Sequence, residues 1–121
     1  MIYGVHSLIY TKDADAVRAF LRDILGWSYV DSGGGWLIFA MPPAEVGVHP
    51  SDGEGTQELH LMCDDLDATM AELAAKGVEF IGGVNEQAYG RTATIKLPGG
   101  GPLGLYQPKH PIALDRSSPL P

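Results

Sequence analysis

Sulfur is scarce in this chain. Cys63 is the only cysteine in 121 residues. One thiol excludes an internal disulfide and a Cys-rich zinc centre, and its place inside the apolar run ELHLMC reads as a buried structural thiol. Positive charge is scarce too: 8 Lys and Arg stand against 15 Asp and Glu, for a net charge of −7 with no basic cluster. Nucleic acid and anionic membrane surfaces both need concentrated positive charge, so neither is expected as a partner. No apolar run approaches the ~20 residues of a membrane span. No basic-then-apolar signal opens the chain, which leaves a cytoplasmic protein as the expectation. Familiar catalytic motifs are missing as well. There is no Gly-x-Ser-x-Gly elbow. The glycine runs at 33–35 and 99–101 precede no helix and no Lys-Ser/Thr, so they read as hairpin turns and not as phosphate loops.

What is present is globular: 45% hydrophobic and 19% charged residues, with enough chain for one modest core. Residues 2–10, IYGVHSLIY, read as a strand. Asp13 can cap a helix in ADAVRAFLRDILG, where Val17, Phe20, Leu21, Ile24 and Leu25 fall at helical spacing and Gly26 stands at the C′ position. WSYVDS, GWLIFAM and EVGVHP then read as three short strands, the first two joined by a SGGG turn. The second half repeats this order. ELHLMC is a strand, and Asp65 caps a helix in LDATMAELAAKG with Leu66, Met70, Leu73 and Ala74 on one face. VEFIGG, AYGRTATIKLP and PLGLYQP supply three more strands.

The order is thus βαβββ twice, and the copies register by residue. Asp13, Asp15 and Ala16 match Asp65, Asp67 and Ala68 at an offset of 52, and VHP at 48–50 matches YQP at 106–108 at an offset of 58. Two copies are too few for a solenoid, so a pseudo-symmetric pair of modules is expected. The expected division is one domain over 1–108, with modules at about 1–52 and 53–108, followed by a loosely ordered Pro- and Ser-rich tail over 109–121.

With VHSLIYTKDADAVRAFLRDILGW, MCDDLDATMAELAAKGVEF and LPGGGPLGLYQP the chain resembles the vicinal-oxygen-chelate superfamily. That superfamily holds glyoxalase I, bleomycin-resistance proteins, fosfomycin-resistance enzymes and extradiol dioxygenases. The resemblance covers roughly residues 2–108. It implies an α+β fold in which two βαβββ modules form a cupped, mostly antiparallel sheet with helices on the outer face, and it implies a homodimer. Members with a metal hold it on the first and last strand of each module. The first-strand ligand stands seven residues before the capping Asp, and a last-strand Glu directly precedes a Leu-Tyr pair. Carried over, His6 and Glu58 match the two first-strand positions. The last-strand positions fall on Val46 and Gly104, which offer no side-chain donor.

The site expected from this pattern has Glu58 and His60 as catalytic candidates, and His6, Glu58 and His60 as a metal set. His6, His49, Met62, Trp36, Phe39 and Tyr106 are the candidate ligand contacts. Glu58 and His60 share one face of a strand by parity. Their Cα separation of roughly 6.5–7 Å is awkward for a single ion. No cofactor is certain; the candidate is a divalent Fe, Mn, Ni or Zn. Arg91 either meets an anionic ligand or pairs with a surface acid. Two functions stay open: a small-molecule binder with a cavity between the modules and a degenerate metal site, or a metal-dependent or metal-free enzyme of lyase, isomerase or extradiol dioxygenase type in which Glu58 removes a proton while His6 and His60 orient or polarise the substrate.

Overall fold

The computed structural model describes residues 6–48, 50, 52–53 and 55–113. Helix α1 (Ala14–Ala19) starts where Asp13 accepts a hydrogen bond from the Ala16 amide at 3.3 Å. It runs directly into a π-helical turn over Phe20–Ile24, closed by the Leu25 amide on the Phe20 carbonyl at 3.2 Å. Strands β1 (Tyr29–Asp31) and β2 (Leu37–Phe39) form an antiparallel pair around the glycine turn. Gly33, Gly34 and Gly35 all carry positive φ in that turn, which explains the triple glycine.

The second half builds the larger sheet. It comprises β3 (His60–Met62), helix α2 (Leu66–Ala75), β4 (Glu79–Phe80), β5 (Asn85–Gln87), β6 (Gly90–Lys96) and β7 (Pro102–Pro108). The path is β3-β7-β6-β4, with β5 also paired to β6. Only β3–β7 is parallel among the described pairs; the others are antiparallel. The chain is therefore α+β and mostly antiparallel, as expected. Asp65 caps α2 through the Ala68 amide at 3.0 Å, and Gln107 of β7 adds a second cap by accepting from the Leu66 amide at 2.7 Å.

Register decides which side chains meet. Leu103 and Leu105 of β7 and Ala93 and Ile95 of β6 point to one face, where they join Leu66 and Leu73 of α2 and Val17, Phe20 and Leu21 of the first helical segment in one core. The opposite face carries His60 and Met62 beside Gly104 and Tyr106, which in turn stand beside Thr94 and Thr92.

Two expected strands differ. Residues 2–5 lie outside the described residues, and residues 6–10 carry no strand. Nor do residues 45–48 of EVGVHP. A strand forms only where a neighbour completes its backbone ladder. Apolar alternation shows which side chains could be buried, not what they pair with. In line with this, Leu8, Tyr10, Val46 and Val48 are 61%, 89%, 90% and 96% exposed. Of the expected tail, residues 109–113 are described, and the Ala113 amide donates to the Glu45 carboxylate at 2.9 Å.

Candidate functional site

Glu58 and His60 come together on the non-core face of the larger sheet. His60 Nε2 and Glu58 Oε2 are 3.0 Å apart, with the imidazole 38% and the carboxylate 78% exposed. Glu58 lies two residues before β3, outside the strand, and its side chain reaches the His60 ring from there.

The imidazole then lies across β7. His60 is the register partner of Gly104, and a Cβ at Gly104 would overlap the His60 ring at Nδ1, Cε1 and Cγ. Tyr106 continues the surface, with its ring centroid 6.2 Å from that of His60 in an edge-on arrangement. The Tyr106 hydroxyl donates to the Tyr89 carbonyl at 3.0 Å. Burial pushes the Tyr106 phenol above its ordinary range, with the neighbouring Tyr89 a smaller cause. The Tyr106 ring occupies the space above Gly90, where a Cβ would come within 2.5 Å of Cε1. Met62 stands beside Tyr106, and Thr92 and Thr94 extend the face across β6.

The other expected residues are placed differently. His6 is exposed and belongs to no helix or strand. His49 lies outside the described residues. Trp36 is 61% exposed beside the glycine turn, with the Arg18 guanidinium 5.1 Å from its ring centre. Phe39 packs against the core and meets the Tyr29 ring at 5.6 Å. Arg91 takes the second of its two expected roles. It bonds both carboxylate oxygens of Asp67 at 3.1 Å and reaches Glu86 at 2.5 Å.

The metal set does not fit this arrangement. Among the described residues no group of three or more His, Cys, Asp or Glu side chains could hold an ion. Glu58 and His60 bond each other, and the space a side chain at 104 would need is filled by the His60 ring. Two clefts open elsewhere. One of about 280 Å³ lies between Phe20, Ile24 and the 97–100 turn. The other, of about 370 Å³, is lined by Cys63, Gln107 and His110. Neither is lined by Glu58, His60, Met62 or Tyr106. Sequence reasoning missed the space that Gly104 leaves for the His60 ring; a glycine inside an otherwise regular strand was the available signal.

Comparison with known proteins places the fold. TnmS3 from Streptomyces sp. CB03234, described as an antibiotic binding protein, is 27% identical, with 90% of this chain and 99% of that one covered at a TM-score of 0.61. A glyoxalase/bleomycin resistance protein from the same strain is 28% identical, covering 82% and 95% at 0.54. A lactoylglutathione lyase from Agrobacterium tumefaciens, 17% identical over 86% and 92%, shares the fold at 0.60. No curated protein matches the chain. The sequence profile of one family matches residues 5–105, and on that match the chain belongs to the glyoxalase/bleomycin resistance protein/dioxygenase superfamily.

Proposed function

We propose that this protein binds a small aromatic or carbonyl-containing molecule on the face built from Glu58, His60, Met62 and Tyr106, and that it does so without the metal of its chelating relatives. One observation carries the reading: the His60 ring fills the place above Gly104, so this face presents a protein-made hydrogen-bonding pair beside an aromatic ring. The Glu58 carboxylate and the His60 imidazole offer polar contacts, and Tyr106 and Met62 offer apolar area. The likeness to an antibiotic binding protein at 27% identity supports a binder.

The test is calorimetric titration with hydroxynaphthoquinone, a planar aromatic carbonyl. The wild type binds it, and Glu58→Gln and His60→Ala each weaken binding about tenfold, the size of one hydrogen bond to a charged group. Equal affinity in all three proteins would remove Glu58 and His60 from the site.

A second reading is favoured by the 3.0 Å contact of Glu58 with His60. A carboxylate held by an imidazole can take a proton α to a carbonyl, with His60 orienting the substrate. Deuterium exchange α to the carbonyl of a bound ketone, observed by NMR, tests it: enzyme-dependent exchange that Glu58→Gln abolishes supports catalysis, and its absence leaves the binder alone.

The working unit in this reading is a homodimer. Large apolar side chains of the first half, among them Leu8, Tyr10, Trp36 and Val46, are more than half exposed, and a second copy would cover them. The modules at about 1–52 and 53–108 form one domain in the same reading.

A further inference from the structure

We propose that Gly104 is a positioning residue: by having no side chain it leaves the His60 imidazole room over β7, in reach of Glu58. The argument begins with what Gly104 does not need. It has no positive φ, so its backbone would accept any residue. It stands inside the seven-residue strand Pro102–Pro108, where a glycine weakens the strand and packs nothing. The reason for it is space. An added Cβ would overlap three atoms of the His60 ring, and no other group comes as near.

The consequence reaches Glu58. The ring lies over the β7 backbone with Nε2 at 3.0 Å from Glu58 Oε2 and its edge toward Tyr106. Any side chain at 104 forces the ring to another rotamer and separates it from one or both partners. Gly90, at the start of β6, differs in being hemmed in by backbone as well as by a ring. Tyr106 lies over Gly90, where a Cβ would meet Cε1 at 2.5 Å and the Gln107 carbonyl at 2.6 Å. His60 thus leans from β3 over β7, and Tyr106 leans from β7 over β6. The two rings stand at 62° to each other, so a ligand on this face meets the face of one ring and the edge of the other. That last step rests on the binding reading above.

The experiment is a double-mutant cycle of Gly104→Ala and His60→Ala, with melting temperature, the NMR contacts between the His60 and Tyr106 rings, and hydroxynaphthoquinone affinity as readouts. Gly104→Ala in the wild type lowers the melting temperature, removes the ring contacts and weakens binding about tenfold, matching His60→Ala. In the His60→Ala background the same change has no destabilising effect and no further effect on binding. An equal loss of melting temperature in both backgrounds would overturn the proposal, because the clash would then lie elsewhere; so would intact ring contacts in Gly104→Ala. If the wild type fails to bind hydroxynaphthoquinone, the binding reading fails, while the melting and NMR arms still decide the role of Gly104.

Discussion

Arg91 shows how much one side chain can tie together. It links β6 to the first turn of α2 through Asp67 and to β5 through Glu86, and its side chain is only 20% exposed. Its hydrogen bonds hold the carboxyls of Asp67 and Glu86 below their ordinary values of 3.8 and 4.5. Folded-state depression of a carboxylic acid contributes stability that is full above the ordinary value and disappears as pH falls through the folded one. Arg91→Met therefore melts lower than the wild type at pH 7, and the gap closes as pH falls below 4.5 and then 3.8; thermal melts across that range check it, and a constant gap would contradict it. Cys63, expected to be buried, is half-buried at the edge of the core and lines a cleft. Burial pushes its thiol up, and Sγ lies 3.7 Å from the Tyr106 carbonyl. Folded protein should react with a thiol reagent at pH 8 more slowly than urea-unfolded chain. At this scale residue types were legible and their neighbours were not. Glu58 and His60 were read as one strand face and do meet, although Glu58 lies outside β3, but nothing near them in sequence announces Gly104, which reaches His60 through a parallel strand pairing.

Elements whose signals are local were legible in full. Asp13 and Asp65 both cap as their spacing predicts, and PLGLYQP is strand throughout. Asp65→Ala should cost about 1 kcal/mol in urea denaturation, as N-cap removal does; a smaller cost would show that Gln107, which accepts from the Leu66 amide, already carries the cap. Elements that depend on distant partners were less legible. The apolar pattern of 14–26 predicted one α-helix, but the chain widens into a π turn at Phe20–Ile24, which buries Phe20 and Leu21 side by side. β5 was not foreseen: NEQ is polar and exposed, and its pairing with Thr92, Arg91 and Gly90 makes it a strand.

At the scale of the molecule the two halves are unequal. The second supplies the long ladder of β6 and β7, and the core gathers on one side of it beneath both helical segments. Leu66 and Ile95 are fully buried at its centre. Either one changed to Ala should lose about 2–5 kcal/mol of stability, read from urea denaturation, whereas a loss under 1 kcal/mol would place the core elsewhere. The first half keeps large apolar side chains in solvent, and a homodimer covering them would appear as twice the chain mass of 12.9 kDa in light scattering. One side of the larger sheet is committed to the core, and the other carries the face proposed to bind a ligand. The most direct measurement of that claim is the amide NMR footprint of hydroxynaphthoquinone on the wild-type protein. The predicted footprint centres on residues 58–62, 92–94 and 104–106. Shifts confined to the cleft around Cys63, Gln107 and His110, with residues 58–62 unmoved, would contradict it.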